Sequence, residues 1–213
     1  MDTDDLIQAL AGDVRRVPAR RAAMRVACCT GMALLAATAL VWLGLGPRAD
    51  LAAVVFDPAW LTRMAYTAAI AGFAGLLLLR LGQPGASVRT PLWGLALTVA
   101  VVLALVVAEQ VSLSGSARAQ AWLGHSWLSC ALWVAVFGAA GGPFLFVAAR
   151  RLAPLRPTLA GAAAGLVSGA VAATAYGLYC TEAATAFYAS WYTLGMVIVA
   201  GFGAIVGRFG LRW

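Results

Sequence analysis

Four cysteines are the side chains of this 213-residue sequence best suited to chemistry, because thiolates react with oxidants and bind soft metal ions. Cys28 and Cys29 adjoin each other in an apolar run, where the surroundings favour a packing role or acylation. Cys130 and Cys180 fall near the ends of two apolar runs that share a short loop. These two are therefore our candidates for a thiol pair. The alternative is that they are simply two small apolar residues at helix ends.

Two further residues lie close in sequence to this pair. His125, the only histidine, precedes Cys130 by five residues, and Glu182 follows Cys180 by two. Thiolate, imidazole and carboxylate together can hold a soft metal ion such as Zn²⁺ or Cd²⁺. The spacing matches no strong zinc motif, so the four side chains predict at most a transient metal site and no resident cofactor. The alternative is a surface histidine and a surface glutamate.

The sequence offers little support for an enzyme. It contains no nucleophile–base pair, no glycine-rich phosphate loop and no carboxylate pair, and Cys130 and Cys180 do not form the C-x-x-C arrangement of thiol oxidoreductases. Arg63 and Glu109 lie near the ends of apolar runs, where an ionisable residue can mark a transport path or simply snorkel to the interface. We predict a protein that is not an enzyme. The alternatives are a small membrane transporter or efflux protein, a membrane enzyme of the thiol-oxidoreductase class that would use Cys130 and Cys180, and a structural assembly factor.

The composition predicts a membrane protein. Hydrophobic residues make up 63% of the chain and charged residues 11%, whereas a soluble domain has about 25% charged residues. The net charge of +7 does not indicate direct nucleic-acid binding, because the arginines lie between apolar runs. We therefore expect the lipid bilayer to surround most of the chain.

Six apolar runs are long enough to cross the hydrocarbon core, which takes about 20 residues. We predict an all-α membrane protein, a six-helix transmembrane bundle formed by residues 24–213, after a polar segment at residues 1–23. The predicted spans are 24–46, 59–81, 91–109, 126–149, 158–180 and 187–207.

The arginines predict the orientation of this bundle, because short cytoplasmic loops are enriched in basic residues. All 15 basic residues are arginine. With both termini in the cytoplasm, 12 of them lie inside, and only Arg48, Arg63 and Arg118 lie outside. We therefore expect a multi-pass protein of a bacterial inner membrane. Cys130 and Cys180 would then each lie roughly 30–35 Å from the cytoplasmic turn between their helices, in a compartment that permits disulfides.

The fifth predicted span has a ridge of small residues. Gly161, Gly165 and Gly169 recur every four residues, in the manner of the GxxxG pattern that lets helix backbones approach closely. The pattern favours packing within the molecule, with a homodimer as the alternative.

The polar N-terminal segment predicts a short amphipathic helix. Asp2 or Thr3 can cap it, and Leu6, Ile7, Leu10 and Val14 share one face. A helix this short is marginal alone in water, so it needs a membrane surface or a groove on a partner protein.

Several of these residues resemble one protein family. The stretch from Thr3 to Asp13 resembles the start of the NrsF-type membrane anti-sigma factors. Trp127 and Cys130 resemble the start of the fourth helix in that family. The run Cys180-Thr181-Glu182, followed by Phe187, Trp191-Tyr192 and Gly195, resembles its second cysteine stretch.

The resemblance implies a function and a partner. It implies an anti-sigma factor that holds an extracytoplasmic-function sigma factor at the membrane, releases it on oxidative or heavy-metal stress, and so regulates transcription. It further implies that Cys130 and Cys180 sense the signal. The sigma-binding residues that it implies are Thr3, Asp4, Leu6, Ile7, Leu10 and Asp13.

Overall fold

The chain folds into helices connected by short loops. The computed structural model describes Thr3, residues 19–46 and residues 48–212, and in these ranges it contains helices and no strand. The helices are α1 (Ala19–Gly44), α2 (Leu51–Val54), α3 (Pro58–Leu81), α4 (Arg89–Ser112), α5 (Ser116–Leu123), α6 (Trp127–Arg150), α7 (Pro157–Tyr176) and α8 (Thr185–Gly210).

Six stretches of the described chain are long and apolar enough to cross a membrane. They are α1, α3, α4, the stretch that joins α5 to α6, α7 and α8. Large apolar side chains, among them Leu43, Trp93 and Val111, are exposed on the outside of the bundle, which a lipid environment accommodates and water does not. The predicted all-α membrane fold with six spanning helices is therefore confirmed.

The helices begin where the sequence provides start signals. Asp57 caps α3, because its carboxylate accepts a 2.7 Å hydrogen bond from the backbone N–H of Ala59, and Pro58 takes the first helical position. Pro157 takes the same position in α7. Pro143 lies inside α6, which a membrane helix tolerates when its neighbours satisfy the freed backbone groups.

Helix α7 is the centre of the bundle. Of its 20 residues, 14 are buried, most of them glycine and alanine, and it packs against α1, α3, α6 and α8. Small side chains make this possible, since they let four helix backbones approach one axis. The long fourth helix, α4, contacts α3 and α8 on the periphery. A movement of α7 would therefore reach most of the bundle.

The glycine ridge of α7 packs against α8 of the same chain. A Cβ atom on Gly165 would run into the carbonyl oxygen of Val199, and one on Gly161 would run into the carbonyl oxygen of Gly203. A Cβ atom on Gly169 would lie 3.0 Å from the Cα atom of Met196. The face predicted for packing within the molecule, or for a homodimer, is thus occupied by α8.

This close approach predicts that Gly165→Leu destabilises the bundle, because the clash is with backbone, which cannot rotate away. Overpacking of this kind costs about 1–3 kcal/mol or more. Gly201→Leu is the matched control, since Gly201 lies on α8 with nothing within 4 Å of an added Cβ atom. Thermal unfolding in detergent, followed by circular dichroism, should show a lower midpoint for Gly165→Leu only. Equal midpoints for the two variants would contradict the packing.

The loops that connect the helices lie at the two ends of the bundle. At the first, which we call the cysteine end, lie Cys130, Cys180 and the contact of Arg48 with the carbonyl oxygen of Leu178. At the other, the N-terminal end, α1 begins, and Gly82 packs against Leu152. Because the six crossings alternate in direction, the start of α1 and the end of α8 share the N-terminal end.

The fifth span is shorter than the sequence predicted. Helix α7 ends at Tyr176, not at residue 180, so Cys180 lies in the connection to α8 and not in a helix. The carbonyl oxygen of Gly177 accepts hydrogen bonds from Trp60 and Arg63, which replace the helical bond that the next turn would have supplied.

Candidate functional site

The structure brings two thiols together at the cysteine end. The sulfur atoms of Cys130 and Cys180 are 3.7 Å apart, both residues are buried, and both are free cysteines. Cys130 lies in the first turn of α6, and Cys180 lies four residues beyond the end of α7. Two residues separated by 50 positions in the chain are thus close enough to react with each other after a shift of roughly 1.7 Å, because a disulfide bond is about 2.05 Å long.

Polar groups surround Cys130. The thiol of Cys130 donates to the hydroxyl oxygen of Tyr176 at 3.3 Å, and its sulfur lies 3.4 Å from the Ser126 hydroxyl oxygen. The same thiol is within hydrogen-bond distance of the Cys180 sulfur. These contacts give the Cys130 thiol hydrogen-bond partners in an otherwise apolar bundle.

Two arginines hold the segment that carries Cys180. Arg63 donates to the carbonyl oxygens of Glu182 at 2.7 Å and Gly177 at 3.1 Å. Arg48 donates to the carbonyl oxygen of Cys180 itself at 3.3 Å. Because these bonds lie on both sides of Cys180, the backbone there is fixed without being helical.

The negative partner of Arg48 is a nearby carboxylate. The Arg48 guanidinium forms a bidentate ion pair with the Asp50 carboxylate, with N···O distances of 2.6 and 2.8 Å. The hydrogen bond from Arg48 lowers the pKa of Asp50 below its ordinary value, so this pair stays charged at neutral pH. Asp50 thereby balances most of the positive charge of Arg48.

A cavity leads from the surface at this end to Cys180. Its volume is about 490 Å³, and Cys180 is part of its wall, whereas Cys130 is not. The other polar and aromatic side chains of this wall are those of Arg48, Asp50, Ser126, Ser129, Trp133, Tyr176, Tyr179 and Thr181. A small oxidant or a metal ion can therefore approach Cys180 first.

His125 and Glu182 are close to each other but are not gathered around the two sulfurs. The Glu182 carboxylate accepts a 2.7 Å hydrogen bond from the backbone N–H of His125, and the His125 side chain is 97% exposed. In the part of the chain that the structure describes, no group of three or more His, Cys, Asp or Glu side chains could share a metal ion. Metal binding by all four predicted ligands stays a prediction, and it requires movement of the connection at Glu182.

The glutamate has a structural role in this conformation. Its carboxylate fixes the turn between α5 and α6, where Gly124 has a φ of +53°. A Cβ atom on Gly124 would lie 2.9 Å from the Glu182 carboxyl carbon and 2.6 Å from the Phe187 ring. Glycine is therefore required at this turn both for the space and for the backbone conformation.

Arg63 and Glu109, the residues on which a transport path would depend, make structural hydrogen bonds. The Glu109 carboxylate accepts from the backbone N–H groups of Thr185 and Ala186, at 2.7 and 2.8 Å. It thereby caps the positive N-terminal end of α8 from a different helix. Arg63, as described above, binds backbone carbonyl oxygens.

The structure also identifies site residues that the sequence did not. Tyr176 and Ser126 contact Cys130, and Arg48 contacts the backbone of Cys180. Arg63 was singled out from the sequence as a charge in an apolar run, but its contact with the Cys180 segment was not predicted. Of the residues expected to bind sigma, Thr3 is exposed and helical, while Asp4, Leu6, Ile7, Leu10 and Asp13 lie outside the described residues.

Comparisons with known proteins agree on one family. No solved structure is similar to the chain. The chain is 35% identical to a probable anti-sigma-F factor NrsF from Azospira oryzae and 38% identical to an anti-sigma-F factor NrsF from Caulobacter vibrioides, in both cases over the full length of both proteins. The family described as negative regulator of sigma F matches residues 10–213. These are regulatory proteins and not enzymes, and this chain belongs to their family, NrsF.

Proposed function

We propose that this chain is a membrane anti-sigma factor. In this proposal, its N-terminal segment holds an extracytoplasmic-function sigma factor at the cytoplasmic face of a bacterial inner membrane, away from core polymerase. It releases that factor when Cys130 and Cys180 react with an oxidant or bind a soft metal ion. The proposed sensing role of the two cysteines rests on one observation, the 3.7 Å separation of two free, buried thiols beside a cavity.

Two chemical inputs suit this pair of thiols. A hydroperoxide oxidises one thiolate to a sulfenic acid and leaves as hydroxide or alkoxide. The second thiol then displaces water to form the disulfide, so two electrons pass to the peroxide. A soft metal ion instead bonds to both sulfurs and releases their two protons. Disulfide formation draws the first turn of α6 and the connection after α7 together, because it shortens the distance between the two sulfur atoms from 3.7 Å to about 2.05 Å. A metal ion bonded to both sulfurs at about 2.3 Å keeps their distance near its present value and links the two segments through the metal.

The fold supports a path from the thiols to the N-terminal segment. Cys130 is on α6 and Cys180 directly follows α7, and both helices pack along α1. Helix α1 begins at Ala19, immediately after the predicted sigma-binding segment. Packed helices shift as units, so a movement at the cysteine end reaches the start of α1. A tenfold loss of sigma affinity needs only about 1.4 kcal/mol.

The test is capture of the partner from the native host. The tagged, detergent-solubilised chain should co-purify a sigma factor, identified by mass spectrometry, from cells that have not been stressed. An unrelated multi-pass protein of the same host, with the same tag, is the control and should retain none. Absence of every sigma factor from the eluate, in cells that express them, would overturn the proposal and favour a transporter.

A further inference from the structure

An apolar groove runs between α6 and α8 toward the N-terminal end of the bundle. Its volume is about 330 Å³, which lies within the range of about 300–1,000 Å³ that is typical of small-molecule sites. The groove extends along α6 from Ala139 to Arg150 and along α8 from Val199 to Gly210, and Gly165 of α7 also lines it. We call it the α6–α8 groove.

Glycines keep this groove open. Gly142 is buried, yet a Cβ atom added to it would meet no contact beyond its own helix backbone within 4 Å, and the same holds for Gly210. A buried position with free space beside it marks room that the described chain does not fill. Phe202, which also lines the groove, is 59% exposed, so the groove opens to the outside of the bundle, where lipid lies.

The length of the groove matches one leaflet of a bilayer. From Ala139 to Arg150, a rise of 1.5 Å per residue gives about 16 Å, and half of the hydrocarbon core is about 15 Å thick. Because Arg150 is the last residue of the spanning helix α6, the groove reaches from the membrane surface to about the middle of the bilayer. An acyl chain fits such a space. A helix, which is about 10–12 Å wide with its side chains, can cover the groove but cannot fill it.

The outer end of the groove carries a cation. Among the described residues that line it, Arg150 has the only polar side chain, and no described carboxylate lies within ion-pair distance of that side chain. The acidic residues of the described chain, Asp50, Asp57, Glu109 and Glu182, all belong to the cysteine end. An arginine without an acidic partner suits a phosphate group, which its planar guanidinium binds through two parallel hydrogen bonds.

We propose that the α6–α8 groove is a binding site for an anionic phospholipid, with one acyl chain in the groove and the phosphate group on Arg150. Charge complementarity favours an anionic lipid over a neutral one. The predicted orientation agrees, because it directs this end of the bundle to the cytoplasmic leaflet, which carries the negative surface charge. The inference goes beyond the proposed regulatory function and does not depend on the thiols.

The experiment measures lipid binding to the purified full chain in detergent by native mass spectrometry. The probes are dioleoyl phosphatidylglycerol and dioleoyl phosphatidylcholine, which have the same acyl chains and differ in net charge. We expect phosphatidylglycerol to bind about fivefold more tightly, the effect of one basic residue beside anionic headgroups. Glycerol 3-phosphate, which has the phosphate but no acyl chain, should not compete. Competition by it would show a bare phosphate site and overturn the proposal.

A glycine variant tests the acyl chain. Gly142→Leu places a side chain in the groove and should lower the affinity for phosphatidylglycerol about tenfold, because the leucine takes the place of buried acyl carbons. Gly72→Leu is the matched control. Gly72 lines a second groove, of about 520 Å³ between α1 and α3, which has no charged residue among its described lining, and a Cβ atom there also has nothing within 4 Å. This control should bind phosphatidylglycerol as the wild type does.

Arginine variants test the headgroup. Arg150→Gln should lower the affinity for phosphatidylglycerol to that for phosphatidylcholine, whereas Arg150→Lys should keep the preference. Arg151→Gln is the control, since Arg151 follows directly in the chain but does not line the groove. Arg150 is exposed at a helix end, so these variants decide the question even if Gly142→Leu fails to fold.

Several outcomes would overturn the proposal. They are equal binding of the two lipids to the wild type, equal effects of Arg150→Gln and Arg151→Gln, and unchanged lipid binding in folded Gly142→Leu. A dimer of the wild type that Gly142→Leu dissociates would assign the groove to a second copy of the chain instead. Because the measurement uses the purified chain alone, a failed capture of sigma would leave its result standing.

Discussion

Replacing Cys130 and Cys180 together by serine is expected to abolish the response to oxidants and soft metals while leaving the sigma factor bound. Serine is close to cysteine in size and retains a hydrogen-bonding group for Tyr176 and Ser126, so the bundle should keep its packing. It can neither form a disulfide nor act as a soft ligand. The readout is a sigma-dependent reporter in the native host, treated with a hydroperoxide or with Cd²⁺, which should show no induction.

Cys28 and Cys29 provide the matched control for this double variant. Cys28 and Cys29 adjoin each other on α1, Cys28 is exposed, and the structure gives neither a thiol partner on another helix. Cys28→Ser with Cys29→Ser should therefore respond as the wild type does. A double variant at Cys130 and Cys180 that is still induced would remove these residues as sensors. A variant that is induced without any stress would show instead that the thiols are needed to hold the resting state.

The two single variants identify the sulfur that reacts first with an oxidant. A disulfide needs both sulfurs, so Cys130→Ser and Cys180→Ser should each lose the disulfide. If Cys180 is the attacking sulfur, Cys130→Ser retains oxidation of Cys180 to the sulfenic acid, whereas Cys180→Ser loses the first step. A dimedone-type probe of sulfenic acid, applied to both variants, reads this difference directly.

The sequence predicted the spanning helices well because each is an uninterrupted apolar run of about the thickness of the bilayer. Their observed ends fall within five residues of the predicted ones, the largest difference being at the start of α1, Ala19 against 24. The glycine ridge of α7 also predicted that another helix backbone approaches it closely. The pattern did not identify the helix that packs against this ridge, because GxxxG patterns occur in contacts within a chain and in contacts between chains alike. The carbonyl oxygens of Val199 and Gly203 identify α8 as the partner.

The surroundings of the thiols were not predictable from the sequence. The segment around Cys180 is shaped by hydrogen bonds from Arg63 and Arg48 to main-chain oxygens, over separations of 114 to 132 residues. Such bonds need no particular residue at the acceptor, so they leave no pattern in the sequence. The same holds for Glu109, whose partners are two backbone N–H groups. As a result, two side chains that suggested a transport path are explained by the structure as supports of the cysteine end.

The ends of the bundle give the proposed mechanism its direction. The thiols and the arginines that hold them lie at one end, while α1 begins at the other. The distribution of the arginines, 12 of 15 in the segments predicted to be cytoplasmic, predicts that the proposed sigma-binding segment lies in the cytoplasm, where a sigma factor is found. In the proposed mechanism, a signal received at the cysteine end would be separated from its target by the thickness of the membrane, about 30 Å.

Removing residues 1–18 is expected to abolish sigma binding while the bundle remains folded. Helix α1 begins at Ala19, so this deletion takes away the segment with the apolar face of Leu6, Ile7 and Leu10 and leaves every described helix from α1 to α8 intact. An affinity that depends on such a face is lost with it, since each buried Leu or Ile side chain contributes about 1.5–3 kcal/mol. The sigma-dependent reporter should then be active constantly, without stress.

A milder variant guards against effects of truncation. Leu6→Asp with Leu10→Asp keeps the length of the chain but places charge on the predicted apolar face, and it should release sigma as the deletion does. Gln8→Ala, which lies between them on the sequence and off that face, should bind normally. Binding is measured by co-purification, and folding by the thermal midpoint in detergent, which should not change in any of the three. Sigma that stays bound to the folded, shortened chain would place the binding surface on the bundle itself. The surface that holds it would then be the helix ends and loops at the N-terminal end, which carry Arg80, Arg150 and Arg156.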